Sequence, residues 1–576
     1  MKIDVKKLGY RWKGNHSATA SYERGDVVRK NNNVMYHDGN TFITMGAGQD
    51  DANTYGALAA YTSDKTQVSG AGDQILSVGA SSNLEFQYSD GRNSTAVRKL
   101  AKTLGGRHGG AVGRAGTQSM FAIMTDGTVR CWGDNANYKL GVGDTTVNST
   151  LPDRVAFPSD TPPIDEVYAG SHYSNFAIDV EGGLWMWGYN SLNQAGEAGV
   201  TTNVGTPEKL QGRGDIPANA VIVDFFQTSN AGSNYSTIYT ANWALDSEGN
   251  LYGWGNNSYG LTGTQSTESI VQSPTLVPLS QSVNIVKVIS FGNRQFASFF
   301  ITDTGLLYQL GSGYPIASSN NQLTANNTVP ELWTPSTQDP VKTVMWSQNR
   351  YPPSYYPQYY RERFMLVTEN GKIYTWGTNG FGLDSSTHPN YINTSLAAWD
   401  SRIDDVKDAF CASSGQGASQ YVLKNDGTVW GIGYVVDIDS TDNTIDTVLY
   451  SDWTQLNYGT DNEEMWGQGD YGSDGYNRYY AGVLLKKTDG SLFLTGYWRS
   501  GVGLVGGGAD QASNNTKAFS IVRLPKAVDE WEVLGGDGMN CLFARIGGEV
   551  FSAGWGTAVG NDDNLADRYT MSQVIF

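Results

Sequence analysis

Charge is scarce in this chain. Only 17% of its 576 residues are Asp, Glu, Lys or Arg, and acids outnumber bases by 57 to 39, a formal charge of −18 with no run of lysine and arginine. Such a surface repels nucleic-acid phosphate, so no nucleic-acid partner is expected. Cysteine is scarcer: Cys131, Cys411 and Cys541 lie far apart in apolar runs, an odd count without metal-ligand spacing. They read as buried small hydrophobes. The five histidines (His16, His37, His108, His172 and His388) are scattered, and neither HExxH nor GxSxG occurs. No nucleophile, base and orienting group can be assembled from this set, so no enzyme activity, cofactor or metal is expected. Long apolar runs are missing too. The N-terminal MKIDVKKLGYRWKGNHS lacks an apolar core and no later window approaches 18 apolar residues, which predicts neither a secretion signal nor membrane insertion.

What the chain has is glycine (70 residues), tyrosine (33) and tryptophan (16). Glycine stands well above ordinary usage, and aromatics with tight turns suit many short strands better than helices or disorder. The expected fold is all-β. A chain this long exceeds a typical single domain unless one architecture is repeated.

Repetition is present. TENGKIYTWGTNGFGL (368–383) contains a pattern that recurs eight times: DGTVRCWG, EGGLWMWG, EGNLYGWG, DTGLLYQLG, NGKIYTWG, DGTVWGIG, DGSLFLTG and GGEVFSAG. One column is always branched and apolar: Val129, Leu184, Leu251, Leu307, Ile373, Val429, Leu492 and Val550. A tryptophan precedes the closing glycine in four copies, giving the pairs Trp132-Gly133, Trp187-Gly188, Trp254-Gly255 and Trp376-Gly377. A second apolar column, Ile123, Ile178, Leu245, Ile301, Val367 and Leu423, runs before the turn. Each unit reads as strand, glycine turn, strand. Strand pairs at this period predict a β-propeller of about eight blades, with seven as the alternative. The steps between closing glycines alternate short and long, which groups the units as four long/short pairs.

With NANYKLGVG, NSLNQAGEAG, NNSYGLTG and TNGFGL following the first, second, third and fifth copies, residues 97–576 resemble the regulator of chromosome condensation repeat family. That family couples a DG-x-apolar-x-x-WG strand pair to an N-x-x-G-Q-L-G segment. The resemblance implies a propeller, usually of seven blades, and tryptophans such as Trp376 that pack between blades. It also implies a protein-binding role, of which guanine-nucleotide exchange is one form. The acidic charge and the lack of a basic tail weigh against a chromatin-bound exchange factor.

The long units carry their extra residues between the opening strand and the strand entering the turn: GGRHGGAVGRAGTQ, SNAGSNYSTIYTANW, NRYPPSYYPQYYRERF and GQGDYGSDGYNRYY. Three are rich in tyrosine, namely Tyr235 and Tyr239; Tyr351, Tyr355, Tyr356, Tyr359 and Tyr360; and Tyr471, Tyr476, Tyr479 and Tyr480. Tyrosine gives rigid amphipathic contact at low entropic cost, and Gly, Ser and Asn add adaptable hydrogen bonds. These loops are the candidate receptor-binding surface for a glycan or a protein. The plainer reading is that they pack on one another.

Other motifs carry less. GVGLVG (501–506) matches GxGxxG without a following helix, DIDSTDNTID (437–446) imitates a calcium loop but has Asp442 and Val448 where glycine and glutamate belong, and Arg213-Gly214-Asp215 is an RGD tripeptide. Acid pairs such as Asp404-Asp405 and Asp562-Asp563 read as solvated turns. Residues 1–96 lie outside the repeats as a β-rich module. Tyr22, Gly25, Asp26, Val28 and Tyr36 form a pattern that resembles small β-modules of phage tail fibres and chitin-binding enzymes. The combined expectation is a non-enzymatic virion structural protein, a tail or head fibre or host-attachment component. Its N-terminal module would anchor it to other virion proteins, and its propeller, at 97–576, would bind a host-surface glycan or protein. A lectin-like or other protein-binding propeller is the alternative.

Overall fold

The two apolar columns of the repeat face each other across a hairpin. Val129 pairs with Ile123, Leu184 with Ile178, Leu251 with Leu245, Leu307 with Ile301, Ile373 with Val367 and Val429 with Leu423. All of these side chains are buried. The turn joining each pair needs a residue at positive φ, and glycine supplies it at Gly127, Gly182, Gly249, Gly305, Gly371 and Gly427, with φ between 70° and 86°. Asp126 and Asp426 brace their turns by accepting the N–H of Thr128 and Thr428 at 2.9 Å.

The computed structural model describes 101–105, 119–144, 149–169, 174–228, 240–279, 283–292, 296–313, 323–333, 339–349, 361–378, 392–393, 403–413, 418–438, 445–470, 480–497, 515–521, 524, 527–534, 541–546, 549–554 and 568–574, with seven strands of the first hundred residues. Side chains are described at fewer positions. The chain divides into two compact units, Met1–Leu100 with Ile575–Phe576, and Ala101–Val574.

In the first unit, Arg11–Asn15, Asp26–Lys30, Asn33–His37 and Phe42–Gly46 form one sheet in that order, its first pair parallel. Val27 faces Tyr36 there. Asn93–Val97 belongs to a three-stranded sheet of this unit, so the first repeat opens not at Val97 but at Ala101–Gly105. Tyr22 and Gly25 lie outside the described residues.

The second unit is all-β. Among its described residues the helical elements are two single 3-10 turns, Ala136–Tyr138 and Ser258–Gly260. The strands make eight four-stranded antiparallel sheets, each a meander of consecutive strands, spanning 101–154, 164–209, 222–276, 285–333, 341–393, 406–455, 462–521 and 530–573. The repeated hairpin is the second and third strand of each sheet. The closing glycine sits where the third strand loses register with the fourth, at Gly133, Gly188, Gly255 and Gly433 among others. Its φ there is 89° to 104° in these four, which explains why a side chain is absent.

Apolar clusters join each sheet to the next. One runs from the first sheet to the third through Trp187, Phe176 and Trp254, with Phe176 stacked on Phe225 at 4.0 Å. Others continue through Trp243 and Phe300, Phe299 and Phe364, Val367 and Val422, Tyr421 and Met465, and Leu484 and Ala544. Trp132 of the first sheet meets Phe543 of the eighth edge-on at 5.9 Å, closing the series into a propeller ring. First strands of neighbouring sheets lie side by side, so they line the ring's axis.

Candidate functional site

Strand order fixes which loops share a face. Every first strand runs toward its link to the second strand, so all eight of those links emerge on one side, together with the links from third to fourth strands. The repeat hairpins emerge on the other. The first-to-second links are 106–118, 228–240, 350–360 and 471–479 in the odd-numbered sheets, against 170–173, 293–295, 414–417 and 535–540 in the even-numbered ones. The long segments therefore alternate around one face. Tyr235, Tyr239, Tyr351, Tyr355, Tyr356, Tyr359, Tyr360, Tyr471, Tyr476 and Tyr479 lie outside the described residues. Tyr480 begins the strand Tyr480–Lys487, and its side chain is outside them as well. The same holds for the side chain of Trp376, whose strand pairs Gly377 with Asn393.

On that face the third-to-fourth links are held by a device that sequence reasoning missed. Two residues after the closing glycine stands a buried asparagine, at Asn135, Asn190 and Asn257. Asn190 accepts the Ala195 N–H at 2.8 Å and donates to the carbonyls of Val200 and Thr202 at 3.0 and 3.1 Å. Asn257 accepts from Thr262 N–H and donates to Ser266 and Glu268. Asn135 accepts from Leu140 N–H and donates to Asp144. The repeat tryptophans lock these links to the next sheet. Trp187 donates its indole N–H to the Lys139 carbonyl, and Trp254 does so to the Gln194 carbonyl, each at 2.8 Å. Lys139 itself is buried against Asp134, its ammonium disfavoured by desolvation and sustained by that carboxylate. The signal for the clamp was the fixed spacing of Asn from the closing glycine.

The opposite face carries a second polar arrangement, at the start of the first strands. In seven of the eight sheets a bulge falls after the first residue of that strand. The bulged residue and its successor are Lys102-Thr103, Asp165-Glu166, Val223-Asp224, Val286-Lys287, Lys342-Thr343, Lys407-Asp408 and Glu463-Glu464 in the first to seventh sheets, and Asp529 directly precedes the first strand of the eighth. Together they form a collar around the axis. Across the second and third sheets the Tyr168 hydroxyl lies between Glu166, to which it makes a short hydrogen bond, and Asp224 at 3.2 Å. Burial raises the Asp224 carboxyl to about 6, opposed by hydrogen bonds from Phe225 N–H and Tyr168 and assisted by the Glu166 charge. Burial raises Asp408 as well, and pushes the Tyr168 hydroxyl far up. Across the seventh and eighth sheets, Glu464 accepts from Lys486 and from the Trp531 indole N–H, both at 2.8 Å.

A carboxyl whose folded pKa is raised contributes stability below its unfolded pKa, and that contribution is lost as pH climbs to the folded value. Asp224→Asn removes the buried charge. It is expected to stabilise the protein at pH 7.5 by on the order of 1–2 kcal/mol, reduced from the full shift by partial exposure, and to change little near pH 4. Urea midpoints of both proteins at the two pH values test this, and equal midpoints at pH 7.5 would reject it.

The remaining motifs have structural roles. Arg213 of the RGD tripeptide donates to the Ala195 carbonyl at 2.7 Å and pairs with Glu208 at 2.9 Å, while Asp215 accepts the Leu276 N–H at 2.9 Å, so the tripeptide ties the second sheet to the third. The calcium-like segment is a hairpin, with Asp437 facing Asp446 and accepting the Tyr450 hydroxyl at 2.7 Å. Asp404 pairs with Lys424 at 3.0 Å. Cys131 is a buried thiol, which burial pushes up, and Cys411 is a half-buried thiol beside the Gln420 amide at 3.7 Å. Residues 501–506 and Asp562-Asp563 lie outside the described residues. Among the described residues no cluster of His, Cys, Asp and Glu could hold a metal, and no helix is long and apolar enough to cross a membrane.

Comparison with known proteins finds a known repeat in two stretches of the chain. The regulator of chromosome condensation (RCC1) repeat matches 126–176 and 248–296. Each match starts in a repeat hairpin and ends at the second strand of the next sheet, and each crosses one of the short first-to-second links. Human E3 ubiquitin-protein ligase HERC2 is 25% identical over 199 residues, 34% of this chain and 4% of that protein. Protein pim1 of Schizosaccharomyces pombe is 24% identical over 228 residues, 36% of this chain and 38% of pim1. The chain thus spans well under half the length of either relative. Among solved structures, human WBSCR16 is 15% identical with a TM-score of 0.45, covering 70% of this chain and 96% of that one. Yeast RCC1 (Prp20), bound to Kap60, is 16% identical with a TM-score of 0.43, covering 78% and 83%. The repeat pattern, the hairpins it builds and the ring they close make this chain an RCC1-like β-propeller.

Proposed function

We propose that the protein is a non-catalytic recognition propeller that binds a partner through the long first-to-second links of its odd-numbered sheets. The observation that carries this reading is their placement: the lengthened links alternate around one face of a scaffold whose short links and opposite hairpins stay regular. Loops on a rigid scaffold commonly carry binding, whereas fold alone assigns none. The match covers 4% of HERC2, so the ligase activity named for that protein is not carried over to this chain.

At a finer level the reading is attachment. A charge-poor surface rich in Gly, Asn, Ser, Thr and Tyr suits an extracellular contact layer, and the N-terminal pattern at Tyr22 to Tyr36 resembles fibre modules. On this reading the protein is a virion component, its first unit holding it to other virion proteins and its loops binding a host-surface glycan or protein. Two measurements test the two levels separately. Mass spectrometry of purified particles is expected to find the chain, and its absence from every particle sinks the virion role. Deleting 352–360 is expected to lower adsorption, or partner binding in any setting, at least about tenfold without changing the thermal melt. Unchanged binding removes that loop from the site.

A further inference from the structure

Large apolar side chains left exposed are confined to one sector of the ring. Among the described residues they are Val180, Val221, Val223, Leu276, Val286, Leu306 and Leu332, between 41% and 57% exposed. All stand on the hairpin face of the second to fourth sheets. Val180 and Leu306 lie in repeat turns, Val221, Val223 and Val286 at the start of first strands, and Leu276 and Leu332 toward the end of fourth strands. In the third and fourth sheets the sector therefore runs from the axis to the rim. Val221 joins two turns: its carbonyl accepts the Ser247 N–H of the third sheet's turn, and a Cβ on Gly182 in the second sheet's turn would stand 2.6 Å from Val221 Cγ1.

The other sheets act as a control for these positions. Val223 and Val286 are bulged residues, and the same place holds Lys102, Asp165, Lys342, Lys407 and Glu463 elsewhere. Leu276 and Leu332 pair with Tyr252 and Tyr308, at a place where Arg154, Lys209, Gln455 and Gln573 stand in other sheets and Ile521 is the exception. Leu306 follows a turn glycine, where other turns have Thr128, Gly183, Asn250, Lys372, Thr428 or Ser491. The fold accepts polar side chains at all three places, so building the sheets does not explain the apolar ones.

Charge around the sector is negative. Exposed Glu181, Glu248 and Asp303 tip its three turns, Asp224 follows Val223, and Glu331 precedes Leu332. Between 155 and 340 the bases are Lys209, Arg213, Lys287 and Arg294. Lys209 lies over the Trp185 ring at 5.7 Å, and Arg213 is held by Glu208 and the Ala195 carbonyl. Lys287 donates at 2.9 Å to Thr343 of the fifth sheet, and Arg294 belongs to a link on the opposite face. We propose that this sector is a docking surface for a basic, leucine-bearing peptide segment of a partner protein. Its apolar side chains cover Val223, Val286, Leu306 and Leu332, and its cationic groups reach the acids at the turn tips. A second copy of this chain fits poorly, since it would set those acids against their own counterparts. The surface lies opposite the long links and does not depend on their binding anything.

Fluorescence anisotropy with the full chain and short labelled peptides tests it. A lysine-leucine peptide is expected to bind and to weaken as salt rises. A glutamate-leucine peptide and a lysine-serine peptide are expected to bind more weakly, the first for charge and the second for lost apolar contact. Combining Val223→Ser, Leu306→Thr and Leu332→Gln is expected to cost at least about tenfold in affinity with an unchanged melt, since all three side chains are exposed and the last two substitutions install residues that other sheets carry at the same places. Should that combination disturb folding, Glu181→Lys with Glu248→Lys, both at exposed turn tips, carries the test and is expected to cost about threefold or more at low salt. No binding at about millimolar lysine-leucine peptide, equal binding of the glutamate-leucine peptide, or wild-type affinity in the folded variants would overturn the proposal.

Discussion

Trp132→Ala is expected to cost about 4 kcal/mol and to open the ring at one place. A buried tryptophan truncated to alanine loses its transfer free energy and leaves a cavity, a combination worth about 3–5 kcal/mol. Trp132 is fully buried and meets Phe543 across the junction of the first and eighth sheets. Every other pair of neighbouring sheets is also joined by the chain running from a fourth strand to the next first strand. The junction at Trp132 has side-chain packing in place of that covalent crossing. The same truncation at Trp254, also fully buried, should cost a similar amount while leaving the ring closed. Urea unfolding therefore separates the two: Trp132→Ala should show an early transition and increased proteolysis of the terminal sheets, and Trp254→Ala a single shifted one. A loss below about 1 kcal/mol at Trp132, or identical unfolding profiles for both variants, would remove Phe543 and Trp132 as the closure.

Asn190→Ala is the second large effect, expected at about 3 kcal/mol. The side chain is fully buried, and its removal strands the Ala195 N–H and the Thr202 carbonyl, while the Val200 carbonyl keeps the Asn193 amide at 3.0 Å. A buried polar group left without a partner costs about 1–3 kcal/mol, and solvent reaching the carbonyl keeps the total near the lower part of the summed range. Asn190→Asp keeps the acceptor but places a charge against two carbonyls, and should be no better tolerated. Hydrogen exchange gives the local readout. The Ala195 amide should exchange much faster in Asn190→Ala, while amides in the Ser174–Asp179 strand follow only the global loss. Wild-type protection at Ala195 would show that the segment is held by something else.

The hairpins were legible because their constraints are local. Val129 and Ile123, or Leu184 and Ile178, repeat at a fixed distance from a turn glycine, and that spacing alone puts them opposite each other. The asparagine clamp was half legible. Asn135, Asn190 and Asn257 hold a constant offset from the closing glycine, but their partners lie five to twelve residues downstream in stretches of differing sequence. The collar was not legible. Glu166, Asp224 and Lys287 share no motif, and what aligns them is a bulge in register with a neighbouring strand, which no property of their own segments announces. The part played by Arg213-Gly214-Asp215 was not legible either, since three adjacent letters do not show that its two ends are tied to different strands.

Link length gives the ring a lower symmetry than its sheets suggest. Eight similar sheets with alternating long and short links repeat every quarter turn, so the period is two sheets, and Gly133 to Gly255 and Gly255 to Gly377 are each 122 residues. Inserting or losing one sheet would set two long links side by side or bring two short ones together. Inserting or losing two in succession preserves the alternation. Length variants of this ring that keep the alternating face should therefore differ by even numbers of sheets, and a partner engaging more than one long link would meet them at right angles around the axis.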